Sequence, residues 1–364
     1  MTIFNEDKEK YAIEKIWDET FSNGFNVLST KKIFRDSEES LVFGCFNGDV
    51  KVHKAVYSTQ EEIVAFEKDG KSYETKGGPI NSLVTSNVTK FSSEDVIVGD
   101  SKGLLTILTN GQILKRTQIC DSKINAITLD VDSVGNQSII VGSNDGTIVA
   151  CTPYNSLWKC RLYEVLKENE RSSDISICIT AMHVFRMQSA TMDVSYLMVA
   201  DSQKRIHFFQ NGTLVKTLHV PSVVTSFCSG CFLNNEDNEQ KNVSSPSKSQ
   251  RISSEDQVAM ATKSGAIFIF SNFVVVPYSN LLYPVTYIKQ LPATGSDNLD
   301  ALICCGHFNK MCILQNKKLV TSYETKDWVH SIDILEKRSN SDSFSLVVGS
   351  LDNTVNILRL RRNR

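Results

Sequence analysis

The chain has 364 residues, a formal net charge of −2, 22% charged residues and 41% hydrophobic ones. So balanced a charge excludes the dense positive field on which non-specific nucleic-acid binding rests. No long apolar run occurs, and the strongest one, residues 273–276, is too short to span a bilayer.

Taken in chain order, residues 1–15 mix acidic and basic side chains with no apolar core, unlike a usual secretory signal. That places the ten cysteines in a reducing compartment, with a cytoplasmic or nuclear location expected. From residue 42 a short pattern begins to recur: an apolar pair, a small residue, polar residues, a turn residue, then alternating apolar side chains. The small residue is Gly44, Gly99, Gly142, Ala200, Ala261, Cys305 and Gly349 in turn, at spacings of 43 to 61 residues. Four positions later stand Gly48, Gly103, Gly146, Lys204, Gly265, Asn309 and Asn353. Gly and Asn tolerate the positive φ of a tight turn, and Lys204 is the exception. Six and eight positions after the small residue lie pairs such as Val50/Val52, Leu105/Ile107 and Val355/Ile357. A period of two means strand, so each copy reads as a β-hairpin.

A second echo precedes each later hairpin: Ile80-Asn81-Ser82, Ile124-Asn125-Ala126, Ile179-Thr180-Ala181, Val224-Thr225-Ser226, Val285-Thr286-Tyr287 and Val329-His330-Ser331. The third residue, small in five of the six, suits an innermost strand crowded near an axis. Asn110-Gly111, Asn211-Gly212 and Asn316-Lys317 then mark turns into an outer strand. Four antiparallel strands repeated seven times predict an all-β, seven-bladed β-propeller spanning residues 1–364 as one domain. The last repeat runs out after one strand, whereas residues 12–20 precede the first inner strand. The N-terminal segment is therefore expected to complete the last blade and hide two sheet edges.

Two stretches exceed the repeat. Residues 164–176 follow the third hairpin, where Leu162, Val165 and Leu166 predict one short amphipathic helix. Residues 229–257 are rich in Ser, Asn and Lys and predict a disordered insertion, in which Ser245 and Ser253 resemble kinase substrates.

Searches for catalytic patterns find little. No phosphate-binding Gly-Lys loop, His-Glu-x-x-His or Gly-x-Ser-x-Gly elbow occurs. Cys228 and Cys231 have C-x-x-C spacing, but a structural zinc needs a second ligand pair and none stands nearby in sequence. The six histidines, at 53, 183, 207, 219, 307 and 330, are dispersed. No cofactor, metal or catalytic residue is expected.

The repeats resemble those of degenerate WD40 and FG-GAP-like propellers, such as integrin-α FG-GAP-repeat proteins and the propellers of Bardet–Biedl complex subunits. Residues 96–150 carry most of this, through Gly99-Asp100-Ser101-Lys102-Gly103, Asp130-Val131-Asp132 and Gly142-Ser143-Asn144-Asp145-Gly146. The Asp130–Asp132 stretch is similar to the calcium loop of integrin-α repeats. Val134 occupies the third acidic place, so the two aspartates are expected to orient a turn instead. The Gly-His and terminal Trp-Asp marks of strict WD40 repeats are missing in register. Blade stability is therefore expected to rest on apolar packing, without a buried His–Asp network.

A rigid ring lacking catalytic patterns points to a non-catalytic scaffold, a subunit of an intracellular multiprotein complex whose partners are other protein subunits. Direct nucleic-acid contact and membrane insertion are not expected. Candidate partner-binding residues are Asp100, Lys102, Asn144 and Asp145 on the turns, with Asn47 and Lys263, and Phe273, Tyr278 and Tyr283 on an apolar outer edge. Two other classes compete. A propeller hydrolase or oxidoreductase would cluster polar residues in the central channel. A nucleic-acid-associated or ubiquitin-ligase receptor propeller would show a basic stripe.

Overall fold

A computed structural model describes residues 10–363, apart from 36–37, 60–61, 92, 133, 167–176, 189–192, 235–256, 294–297 and 336–342. Seven antiparallel sheets follow one another along the chain. From the axis outward, blade 1 takes Phe25–Lys31, Ser40–Cys45, Asp49–Tyr57 and Ile63–Phe66; Lys71–Glu74 also pairs with its third strand. Blade 2 takes Ile80–Ser86, Asp95–Asp100, Leu104–Thr109 and Gln112–Gln118, and blade 3 takes Ile124–Val131, Gln137–Ser143, Thr147–Cys151 and Ser156–Arg161. Blade 4 takes Ile179–Gln188, Asp193–Asp201, Arg205–Gln210 and Thr213–His219, and blade 5 takes Val224–Ser229, Gln257–Thr262, Ala266–Ser271 and Val274–Asn280. Blade 6 takes Val285–Leu291, Ala301–Gly306, Phe308–Gln315 and Lys318–Glu324. Blade 7 takes Val329–Ile334, Ser343–Ser350 and Thr354–Arg362, and Tyr11–Thr20 from the other end of the chain completes it. The seven-bladed ring with its N-terminal closing strand thus stands as the repeats predict. Blade 1 departs from four strands because its outer edge is split in two.

The first strands of neighbouring blades touch around the axis. Each carries a bulge at its second residue: Asn26, Asn81, Asn125, Thr180, Thr225, Thr286 and His330. The bulge turns that side chain toward the next blade. Asn26 Nδ2 donates to the Ile80 carbonyl at 2.7 Å, Asn125 Nδ2 to that of Ile179 at 2.8 Å, and Thr180 Oγ1 to that of Val224 at 2.6 Å. Thr225 makes the same bond to Val285. A repeated polar clasp therefore ties blade to blade where the sheets are closest.

The small residue of each hairpin has a packing cause. A Cβ on Gly44 would lie 2.5 Å from Ile80 Cγ2, and one on Gly99 2.4 Å from Ile124 Cγ2. The first inner residue of the following blade presses on that backbone.

The turn residues behave as expected at six of seven sites, with φ of 88°, 81°, 78°, 61°, 87° and 62° at Gly48, Gly103, Gly146, Lys204, Gly265 and Asn353. Asn309 is the correction. Blade 6 turns tightly at His307, with Gly306 pairing to Phe308, so Asn309 lies in the strand that follows. Lys204 holds a left-handed backbone with an exposed side chain. Replacement Lys204→Gly is expected to raise stability by about 0.5–1 kcal/mol, since the left-handed penalty of an L-residue outweighs glycine's added unfolded-state entropy. Urea unfolding of the two proteins reads the difference.

One sequence expectation fails, and a second, on 229–257, departs at its start, residues 235–256 of that stretch lying outside the described residues. Blade 4 does contain a buried His–Asp network: Asp201 Oδ2 lies 3.0 Å from His207 Nε2 and accepts from Arg205 Nε at 2.8 Å, while His207 Nδ1 is 3.1 Å from Thr217 Oγ1. Burial alone would raise the Asp201 carboxyl, but His207 and Arg205 hold it below its usual range. In the 229–257 stretch, Phe232 and Leu233 are buried rather than solvated, and both donate their N–H groups to Gln257 Oε1. Ser245 and Ser253 lie outside the described residues. The predicted short helix forms at Leu162–Val165, burying Leu162 and, just past its end, Leu166 against blades 3 and 4.

Candidate docking surfaces

One backbone bond repeats in all seven blades and builds one rim of the ring. The N–H two residues after the small residue donates to the carbonyl just before the blade's own inner strand: Phe46 to Gly24, Ser101 to Pro79, Asn144 to Lys123, Ser202 to Cys178, Lys263 to Val223, His307 to Pro284, and Leu351 to Trp328. These bonds measure 2.8–3.0 Å. Turn and link are thereby fused, and their side chains compose the rim.

That rim is chemically divided. Blades 2 to 5 present Ser101, Asn144, Ser202 and Lys263. Blades 6, 7 and 1 present His307, Leu351 and Phe46, beside Trp328, Tyr283 and Leu282 from the links. Leu282 is 77% exposed, Tyr283 59% and Phe46 48%. Trp328 stacks on His307 with centroids 4.6 Å apart, and Tyr283 lies 6.2 Å from Phe308. Tyr163, 53% exposed on the link between blades 3 and 4, interrupts the polar half, but the denser arc of exposed rings and aliphatic side chains lies at blades 6, 7 and 1.

The residues nominated from sequence separate accordingly. Lys102, Asn144, Asp145, Asn47 and Lys263 are exposed on the rim, all but Asn47 on its polar half. Asp100 is a correction: it is buried, and its Oδ1 accepts from the N–H groups of Lys102 and Leu104 while Oδ2 accepts from Gly78. It holds the turn from within. Asp145 also braces its turn, accepting from Thr147 N at 3.2 Å.

The apolar outer edge of blade 5 is largely covered. Tyr278 is 4% exposed, with Phe232 packed on it at 6.4 Å, so it is not available for docking. Phe273 is half-buried among Phe208, Phe270 and Tyr196, with Lys216 Nζ 4.8 Å above its ring. Phe232, from beyond the inner strand, accounts for the surplus of apolar residues on that edge. Of the three edge residues nominated, Tyr283 alone is exposed, and it belongs to the rim.

The central channel carries polar side chains, though they are engaged with each other. Asp333 of blade 7 accepts from Thr30 N at 2.7 Å, Ser29 Oγ at 3.0 Å and Lys289 Nζ at 3.0 Å, joining blades 7, 1 and 6. Burial opposes its charge, but Lys289 and the Thr30 N–H hold the carboxyl below its usual range. Lys289 is correspondingly raised by Tyr287 and Asp333 against burial, so it stays protonated. His183 Nε2 lies 2.5 Å from Ser229 Oγ, but burial lowers the imidazole to about 4, far from the neutrality that general-base work favours. Burial pushes the Cys228 thiol up to about 11 and also raises Cys231. Among the described residues no group of three or more metal-ligating side chains converges. Asp132 orients its turn as expected, its Oδ1 accepting from Val134 N and Asn136 N. Asp130 instead accepts from Ser195 Oγ of blade 4 at 2.8 Å.

No known family's sequence profile matches the chain, and no curated protein matches it. Solved structures do. BBS1N, crystallised in complex with ARL6DN, is 12% identical over 98% of both chains, with a TM-score of 0.67. The WD40 β-propeller domain of Doa1 is 15% identical over 95% of this chain and 96% of its own, with a TM-score of 0.63. At such identities the likeness is one of fold, and the resemblance to Bardet–Biedl and WD40 propellers holds at that level.

Proposed function

We propose that this protein is a non-catalytic scaffold, a propeller subunit of an intracellular multiprotein complex, and that it grips a protein partner with the apolar half of its turn rim. One observation carries this reading: position-matched rim residues are polar in blades 2 to 5 and aromatic or aliphatic in blades 6, 7 and 1. Exposed Trp and Tyr at the centre of an interface are the side chains whose truncation costs most. The crystallised association of BBS1N with ARL6DN supports protein partners for this architecture. Ten free cysteines, several deeply buried, support a reducing compartment. No described helix is long and apolar enough to cross a membrane.

The test is co-purification of the full chain with its stoichiometric partner, sized by light scattering. Substitution of either Tyr283 or Trp328 by Ala is expected to weaken the complex by about 30-fold, at roughly 2 kcal/mol for a hot-spot residue, and substitution of both by more. The pair Lys102→Ala and Asn144→Ala, on the polar half, is expected to leave it intact. A complex that survives loss of both rings, or a chain that turns over a small molecule in its channel, would defeat the reading.

A further inference from the structure

Each interface between blades has its own apolar core, and six of the seven contain aromatic rings. The interface of blades 2 and 3 contains none among its buried or partly buried hydrophobic residues. Blades are wedge-like, diverging outward, and large side chains fill the widening gap. Between blades 1 and 2 Phe34 and Tyr73 do this, packed so closely that a Cβ on Gly111 would touch both. Between blades 3 and 4 Trp158 does it, beneath Gly212.

At the exceptional interface the gap stays open as a cleft of about 230 Å3. Leu105, Ile107, Val149 and Cys151 form its floor, and Lys115 and Lys159 stand at its lips. The register shows what is missing. Trp158 pairs with Ala150, eight residues past the small residue of blade 3. Lys115 pairs with Ile107, eight past that of blade 2. Lys71 and Lys216 hold the equivalent place in blades 1 and 4 with their Nζ over the rings of Phe34 and Phe273, whereas the interface beside Lys115 has no ring. Among the described residues Lys115 Nζ reaches only the Tyr154 carbonyl at 3.4 Å, and Lys159 Nζ only that of Ile119 at 3.4 Å. None of the lining residues is acidic, and among the described residues no carboxylate pairs with either lysine.

We propose that this cleft receives one aromatic side chain from a short acidic segment of a partner protein. The ring seats on the aliphatic floor where the other interfaces carry their own, and flanking carboxylates pair with Lys115 and Lys159. The volume lies below the ~300 Å3 at which small-molecule sites begin, which suits a single side chain. The two unpaired cations supply charge complementarity to Asp and Glu. The site is independent of the apolar half-rim and stands or falls without it.

The test uses the full chain and a fluorescein-labelled peptide, Asp-Glu-Asp-Phe-Asp-Glu-Asp, read by fluorescence polarisation. Saturable binding is expected, weakened at least about tenfold when the peptide Phe becomes Ala and when both lysines become Glu. Lys115→Trp supplies the missing ring, so it is expected to block the peptide and raise the melting temperature together. The charge-reversed protein is checked for an unchanged melt, so that loss of binding is not loss of fold. No saturable binding below about 1 mM would overturn the proposal. So would binding that ignores the peptide Phe or Lys115→Trp, or that tripolyphosphate abolishes while the Phe is dispensable, since each would make the lysines a mere charge patch.

Discussion

A chain truncated to begin at residue 21 is expected to lose cooperative folding. The segment Tyr11–Thr20 is the outer strand of blade 7, paired along its length with Thr354–Arg362. It also seals two interfaces. Tyr11 is 2% exposed and packs with Ile13 into the core between blades 6 and 7. Ile16 and Trp17 pack into the core between blades 7 and 1, where Trp17 meets Phe66 at 6.0 Å. Lys10 N donates to the Val320 carbonyl and Tyr11 N to Thr321 Oγ1, so the strand holds blade 6 as well. One buried and three half-buried apolar side chains, at up to about 1.5–3 kcal/mol for each one fully buried, are a large fraction of the stability of an ordinary domain, about 5–15 kcal/mol. Removal would also bare the edge of Thr354–Arg362 to pairing with other chains. The expected results are a broad, weak thermal transition and aggregation on gel filtration. A synthetic peptide of residues 9–21 added in trans is expected to restore the sharp melt. A truncated chain melting cooperatively within about 3 °C of the full one would show that the ring does not depend on this closure.

That closing strand was legible because it follows from arithmetic on strands: the last blade is one strand short at one end of the chain, and one strand is spare at the other. The hairpins were legible for a similar reason. Steric rules for Gly44 and Gly99, and the period of two after them, are local properties that survive in sequence. What stayed hidden depends on which face of a strand meets which neighbour. Asp201 and His207 sit on facing strands of one hairpin, but only strand parity reveals that both point into the core. Asp100 looked like an exposed turn residue because Lys102 beside it is one, whereas its carboxylate turns inward to three N–H groups. Phe232 was hidden by the polar sequence that follows it, and with it the cover over Tyr278. The divided rim was in principle readable. Once position two after the small residue is known to face outward, Phe46, His307 and Leu351 stand apart from Ser101, Asn144 and Ser202 in the sequence itself.

Mild acid is expected to destabilise this protein well before its carboxylates titrate. Burial lowers His183 from its ordinary 6.5 to about 4, and it also lowers His53 and His330. His183 stacks near Phe227 and bonds Ser229; His53 lies between Phe21 and Phe43 with Nδ1 2.9 Å from the Glu67 carbonyl; His330 packs on Phe25. In each case the fold holds the neutral ring, so between pH 6.5 and the depressed value the unfolded chain binds more protons than the folded one. Stability must therefore fall as pH drops through that window. His183 alone accounts for about 2 kcal/mol lost by pH 5, a figure that follows from its two pKa values. Asp201 and Asp333 act in a different range. Their folded pKa values lie below the usual carboxylate value, so what they contribute is complete above pH ~4 and lost only below it. Chemical denaturation at a series of pH values should thus show two limbs, a histidine limb from pH ~6.5 to 4 and a carboxylate limb beneath it. His183→Gln keeps a donor and acceptor beside Ser229 without a titrating ring, and it is expected to make the first limb shallower, leaving the share of His53 and His330 and the whole second limb. A stability curve level between pH 7 and 5, or a first limb that persists unchanged in His183→Gln, would mean that these rings are solvated enough to take up protons in place.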